Sequence, residues 1–364
     1  MEYIKLKDLC EKEERFVAPN DDAHIDYVDI SSVDNKSKSL TKYDTYIFAE
    51  APSRARKRVK HGDVIVSTVR PNLNAVARFN IQTPHTPIAS TGFCVLRHKS
   101  DVDPIYIYFF CISPNFVRQM VAKATGASYP AVSDTIVREA KIPKHTAEKR
   151  VRIVSTLSKA KEIIEYRRAQ LAKLDELVKC RFVEMFGDIE VNPRRLPILP
   201  WNQVFHTTTG KLDANAMEQD GIYPFFTCAK ESYRINSYAF DCEALLLAGN
   251  NAAGVYDVKH YKGKFNAYQR TYVLKLRNEN WSYLLFKLQL ENKLTYMQSQ
   301  SKGTNTRYLT MGILNEINFI IPSVEEQQIF ADFVHHIDKL RIVIRQSLDE
   351  AQKLFDSLMQ EYFD

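Results

Sequence analysis

Two neighbouring stretches in the first half of the chain gather side chains suited to holding a polyanion. "SRARKRVKHGD" places Arg54, Arg56, Lys57, Arg58 and Lys60 ahead of Gly62 and Asp63. Guanidinium and ammonium groups at this density contact phosphate oxygens without regard to base sequence. The bland reading of such a run is a solvated loop. Shortly after it, "STVRPN" puts Ser67, Thr68, Arg70 and Asn72 at a strand end and turn. Arginine pairs with guanine and asparagine with adenine, each through two hydrogen bonds in the major groove. The bland alternative there is an ordinary polar turn.

The second half offers a comparable set. "LAGNNAAG" (247–254) is a strand-to-loop segment whose small residues, with Asn250 and Asn251, permit close approach to a backbone. "NAYQRTY" supplies Tyr268, Gln269 and Arg270, and "QSKGTNTRYL" supplies Lys302, Thr304, Asn305 and Arg307. The counterpart of the latter in the first half is "AKATGASYPAV", with Lys123, Thr125 and Ser128. Gly126 and Gly303 recur at the same point, which predicts a shared loop geometry that needs glycine. Other chemistry finds no support. "HTTTGKL" lacks the leading glycine of a phosphate loop and has Leu212 where Ser or Thr should stand. His335 and His336 are adjacent, not four apart as a helical metal site requires. No acidic cluster suggests acid–base work. An Asn-Pro-Pro-Tyr motif and a glycine-rich S-adenosylmethionine loop are both missing, which argues against methyl transfer by this chain.

The elements that position these side chains come in two copies. At a constant offset of 177, Gly126 meets Gly303, Ile136 meets Ile313, Glu139 meets Glu316, Arg168 meets Arg345, Leu171 meets Leu348 and Phe186 meets Phe363. "FCVLR" (93–97) resembles "TYVLK" (271–275) at an offset of 178. Each copy begins with β-branched and aromatic residues broken by turn signals. Each then carries one short helix, "YIYFFCISPNFVRQMVAK" or "WSYLLFKLQLENKLTYMQS", and ends in a long one. From Lys149 to Met185 there is neither Gly nor Pro. Ile153, Leu157, Ala160, Ile164, Leu171, Leu174, Val178 and Met185 recur at steps of four and three, with Arg167 and Arg181 in the gaps, the seam of a coiled coil. The second copy repeats it with Phe330, Val334, Ile337, Arg341, Leu348, Ala351, Phe355 and Tyr362, while Ile344 and Leu358 face the arginine slots. Gly187 stops the first helix.

The expected fold is therefore α+β: two homologous globular α/β domains joined by two long helices that form an antiparallel coiled coil. The boundaries are 1–143 for the first domain, 144–187 for the first helix, 188–322 for the second domain and 323–364 for the second helix. A helix of about 37 residues is roughly 55 Å long, the length of about 16 base pairs. The two domains are expected at opposite ends of this rod. Alternatively, each helix is only the core helix of its own half.

Composition bounds the rest. The chain has 364 residues and a formal charge of +6, unevenly shared. Residues 1–187 hold 31 Lys+Arg against 23 Asp+Glu, and residues 188–364 hold 19 against 21. A polyanionic partner therefore suits the first half best. No run of about 18 apolar residues suggests a membrane span, and the N-terminus lacks a signal-peptide layout. A cytoplasmic location is expected, with no membrane partner. The six cysteines include no CxxC pair and read as buried free thiols.

With these pieces in view, the chain resembles the specificity (S) subunit of type I restriction–modification systems, over essentially its whole length. The most specific match is "TTTGKLDANAMEQDGIYPFFTCAKESYRINSYAFDCEALLLAGNN" followed by "YKGKFNAYQRTYVL", which is similar to one target-recognition domain of that family. Gly210-Lys211 and 263–270 carry it, and Lys211 joins the DNA-binding candidates through it. "RKRVKHGDVIVSTVRPNLNAVARF" resembles the family's Gly-Asp-strand and Arg-Pro turn. "IPKHTAEKRVRIV" and "IPSVEEQQIFADFV" resemble its Ile-Pro lead into each conserved helix. The family's Glu-Gln stands here as Glu326-Gln327 in the second copy but as Glu148-Lys149 in the first, a change expected at a tolerant surface position.

The resemblance implies a non-catalytic subunit. Each domain would read one half of a bipartite double-stranded DNA target, and the coiled coil would fix the unread spacer. Two methyltransferase (M) subunits would bring S-adenosylmethionine, and restriction (R) subunits, up to two, would bring ATP and Mg. The chain itself would hold no cofactor and no metal. Two other readings remain open. A self-contained DNA methyltransferase or nuclease predicts activity of the chain alone. A protein-only coiled-coil scaffold predicts no affinity for DNA.

Overall fold

The computed structural model describes every residue except Met1, Glu13, Arg15 and Ala253. The chain divides into two compact units. Unit 1 comprises Met1–Arg168 and Gln346–Asp364, and unit 2 comprises Ala169–Arg345. Two 40-residue helices, Ala147–Phe186 and Val324–Phe363, each contribute to both units.

In unit 1, alternating apolar residues build two sheets. One has four strands in the order Asp44–Ile47, His24–Val28, Thr86–Ser90, Ala55–Arg58, with the central pair parallel. The other places Val64–Ser67 between Phe93–Leu96 and Val76–Arg78, all antiparallel. The "VIV" of the central strand is buried on both faces, as a covered strand should be. The expected short helix is two helices, Pro104–Ile112 and Pro114–Lys123. Ser113 caps the second by accepting the Phe116 N–H at 3.2 Å, and Pro114 has no N–H with which to continue the first. Unit 2 is built on one six-stranded sheet in the order Phe205–Thr209, Thr271–Leu276, Phe240–Ala248, Val258–Ala267, Tyr223–Phe226, Tyr233–Ile235. Its expected helix is likewise split, into Tyr283–Asn292 and Leu294–Gln300. Trp201, Phe205, Phe286 and Phe319 form its aromatic core, with Trp201 and Phe205 rings 5.0 Å apart.

The repeat is visible in the elements. The helices Asp134–Arg138 and Met311–Asn315 share the 177 offset, as do the strands Lys141–Pro143 and Asn318–Ile320 and the two long helices. In each unit the strand before the long helix pairs antiparallel with an early strand of the same unit: Tyr3–Lys5 in unit 1 and Ile198–Pro200 in unit 2.

Within each unit the long helices run antiparallel. In unit 1, Ile153 and Leu157, near the start of the first helix, share a core with Met359 and Phe363 at the end of the second. Phe363 packs on Tyr106 and Phe110, with centroids 5.6 and 5.9 Å apart. In unit 2, Val178, Phe182 and Phe186 share a core with Phe330, Val334 and Ile337. Ile164 is also buried, while Leu171, Leu174, Leu348 and Phe355 are half-buried. Of the seam arginines, Arg341 reaches Asp175 at 2.7 Å, and Arg167 donates to the Ser347 hydroxyl at 3.1 Å.

The start of the second helix corrects one expectation. Ser323 and Glu326 form reciprocal caps at 3.2 and 3.3 Å. Gln327, expected on the surface, is buried. Its amide accepts the Ser282 N–H at 2.9 Å and donates to the Pro322 carbonyl at 3.0 Å. The 177 offset of the two helices also places Gln327 opposite Arg150 rather than Lys149, correcting the register read from the sequence. Arg150 donates to the Asp101 carbonyl at 3.3 Å, so both helices are tethered to the loop before the short helices. Cys10, Cys94 and Cys111 are buried as expected, but Cys180 is exposed and Cys228 and Cys242 are intermediate.

Candidate nucleic-acid interface

Each unit presents a surface made of the same three segments, joined by the same backbone bonds. In unit 1 the end of the Val64–Ser67 strand meets the start of its partner strand: the Thr68 N–H donates to the Gly92 carbonyl at 2.8 Å. On its other side the Thr68 carbonyl accepts the Val132 N–H at 2.9 Å. In unit 2 the Gly249 N–H donates to the Arg270 carbonyl at 2.8 Å, and the Gly249 carbonyl accepts the Leu309 N–H at 2.8 Å. Thr68 and Gly249 therefore hold one place in two copies, and two residues on, Arg70 and Asn251 hold another. The third segment is the glycine loop. Thr125 bridges Ala131 in unit 1, and Lys302 bridges Tyr308 in unit 2, at the 177 offset. Gly126 and Gly303 take φ of +99° and +101°. A Cβ on either would press on a carbonyl oxygen, at 2.9 Å for Gly126 and 2.2 Å for Gly303.

The side chains expected at the interface fall into groups. Arg70 and Asn72 are exposed at the tip of the first unit's strand-end loop. Lys123 is exposed at the end of the Pro114–Lys123 helix, and Thr125 and Ser128 are exposed on the glycine loop that follows it. Ser67 and Thr68 point inward instead. Ser67 donates to the Val69 carbonyl at 3.0 Å and Thr68 to the Gly92 carbonyl at 2.9 Å, so both shape the turn from beneath. In unit 2, Gln269, Arg270, Lys302, Thr304, Asn305 and Arg307 are exposed, while Asn250, Asn251 and Tyr268 are half-buried. Of the "LAGNNAAG" segment, Ala253 lies outside the described residues. Lys211 is exposed beside the same turn, because Leu212 bridges Tyr268 and accepts the Gln269 N–H at 2.9 Å. Gly210 fits there only without a side chain, since a Cβ would meet the Ala267 carbonyl at 1.8 Å.

The basic run lies on the Ala55–Arg58 strand, where alternation sorts it. Arg54, Arg56, Arg58 and Lys60 face outward, whereas Lys57 turns toward Asp134 and pairs with it. Arg54 joins the three-segment surface, because its carbonyl accepts the Thr91 N–H at 2.8 Å, next to Gly92. Arg56 and Arg58 line a separate cleft of about 430 Å³ with Lys12, Glu14, Arg97 and Arg138. Lys60 and then Arg97 hold the Glu14 carboxyl down to about 2, so it offsets part of that positive charge at neutral pH.

Sequence reasoning missed Tyr129 and Lys38. Tyr129 is exposed on the glycine loop, and the Arg70 guanidinium lies over its ring at 4.8 Å. Lys38 donates to the Asn74 carbonyl at 2.6 Å and clamps the far side of the Arg70 loop. A Tyr-Pro pair just after the conformationally demanding Gly126 was the available signal for Tyr129; nothing local marked Lys38. His336 bonds its own helix at the Asp332 carbonyl, at 2.6 Å. Among the described residues no group of three His, Cys, Asp or Glu side chains could hold a metal ion. No helix among them is long and apolar enough to cross a membrane.

Residues 201–353 match the family described as Type I restriction modification DNA specificity domain. A stretch of 132 residues is 42% identical to the Type I restriction enzyme EcoDI specificity subunit of Escherichia coli. It spans 36% of this chain and 28% of that subunit. Two solved structures share the fold over nearly the whole length. One is the type I restriction–modification S subunit from M. genitalium, with a TM-score of 0.62, 13% identity, and coverage of 100% of this chain and 96% of that one. The other comes from work on complex assembly and conformational transition of the type I R-M system, with a TM-score of 0.56, 22% identity, and coverage of 99% and 97%. Residues 201–353 are thus similar to the type I restriction modification DNA specificity domain, the chain spans well under half the length of the curated specificity subunit it matches, and its fold over nearly the whole length is that of the two solved structures.

Proposed function

We propose that this chain is the DNA-recognition subunit of a type I restriction–modification complex. Each unit reads one half of a bipartite target, and the paired long helices set the unread spacer between the halves. M subunits bring S-adenosylmethionine and methylate, R subunits bring ATP and Mg and cleave, and this chain performs no chemistry of its own. The complex works in the cytoplasm, where its DNA substrate lies. The observation that carries this reading is the repeated three-segment surface, with the same backbone bonds in both units and polar or basic tips at matching places. Duplicated surfaces of this kind suit two separate half-sites better than one continuous site.

The test exchanges residues 1–143 for the corresponding domain of another specificity subunit. Single-molecule methylome sequencing should then show one half of the methylated motif replaced and the other retained. Change in both halves would overturn the assignment of one reader per half. Activity of the purified chain alone with S-adenosylmethionine, or with a metal ion, would instead favour a self-contained enzyme.

A further inference from the structure

The Arg70 loop is held in a conformation that its sequence resists. Arg70 and Asn74 both take left-handed backbone angles, with φ of +48° and +47°. Lys38, at φ +55°, is a third such residue, and its ammonium is the group that clamps the Asn74 carbonyl. Among the described residues, two of the five non-glycine residues at positive φ lie in this one turn, and a third, Lys38, reaches it with its side chain. Such conformations are sterically unfavourable, less so for Asn than for Arg or Lys, and persist only where surrounding structure enforces them. The enforcing bonds are present: the Arg70 N–H donates to the Pro130 carbonyl at 2.7 Å, and Asn74 Nδ2 donates to the Cys111 carbonyl at 3.3 Å.

The product of this strain is one exposed guanidinium. Arg70 stacks on Tyr129, itself 70% exposed, so neither group is buying core stability. A flexible arginine loses rotamer freedom when it binds; one already stacked has lost much of it beforehand. The guanidinium carbon lies 4.8 Å from the ring centroid, and among the described residues its N–H groups have no hydrogen-bond or ion-pair partner, so they are available to the O6 and N7 of guanine. A phosphate contact would need none of this, because a mobile lysine or arginine serves equally well.

We propose that Arg70 reads a guanine in the half-site bound by unit 1, with Tyr129 as the positioning residue that holds its guanidinium in the reading pose. This rests on the DNA-recognition reading above and adds the base and the residue.

Methylomes of cells carrying the chain with its M subunit provide the test. Arg70→Gly removes the side chain and suits φ +48°, so the loop keeps its shape. It should relax one G·C position in one half of the motif, with discrimination there falling about tenfold to a hundredfold and the other half unchanged. Arg70→Lys keeps the charge but loses paired recognition, and should relax the same position. Tyr129→Ala should relax it partially, whereas Tyr129→Phe should not. A uniform fall in methylation with the motif intact would make Arg70 a phosphate contact and overturn the proposal, as would a wild-type motif with no guanine in the affected half. A wild-type chain that directs no motif at all would instead overturn the DNA-recognition reading itself.

Discussion

Gly126 and Gly303 show how much of a site one residue can decide. Both turn the chain through backbone angles that carry a steric cost for any residue with a Cβ. Alanine at either should destabilise its own unit by about 1–3 kcal/mol. Gly303→Ala should cost more, because its Cβ meets the Thr306 carbonyl at 2.2 Å against 2.9 Å for Gly126 and Tyr129. Urea unfolding of the two variants would check the order; equal midpoints would contradict it. These glycines were legible in the sequence because backbone demands select a residue type directly. Ser67 and Thr68 were not. A hydroxyl at a strand end bonds outward or inward with equal ease, and the choice is made by Val69 for Ser67 and by Gly92, 24 residues away in the chain, for Thr68.

Elements carry the next layer. Glu139 follows the Asp134–Arg138 helix and pairs with Lys5 and Lys7, fastening the early Tyr3–Lys5 strand to the corner. Lys5, then Lys7, holds the Glu139 carboxyl down to about 2, below its usual 4.5. A carboxylate depressed on folding stabilises the fold fully above about pH 4.5 and loses that contribution as pH falls toward 2. Glu139→Gln should therefore lower the urea midpoint at pH 7, and the gap to wild type should close as pH approaches 2. The pair is solvent-exposed, so the effect is small and should shrink in about 1 M salt. A gap that widens in acid would refute this account. At 177 residues' distance Glu316 is also engaged, but by the Tyr296 hydroxyl at 2.7 Å. The repeat kept the acid and changed its partner. The long helices were legible because heptad spacing is local. The sheets were not, since pairing Ile25 with Thr86, or Phe225 with Asn266, depends on residues far apart in sequence. Gln327 was misplaced for the same reason: its burial is set by Ser282, 45 residues away.

For the whole molecule, the two continuous 40-residue helices make the spacer proposal testable. Adding one heptad to both, in step, preserves the seam and lengthens each helix by about 10 Å, or roughly three base pairs. The methylated motif should gain about three unread positions with both half-sites unchanged. An unaltered spacer would remove the ruler from the proposal.

The exchange of helix ends between the units has a consequence for synthesis. Unit 2 is one uninterrupted stretch, but unit 1 needs Met359 and Phe363 to cover Tyr106 and Phe110. A ribosome adding about 5–20 residues per second makes those residues roughly 10 to 50 s after the surface they seal. The first unit to emerge is thus the last to close, and for that interval the nascent chain carries an open aromatic patch that chaperones would have reason to guard.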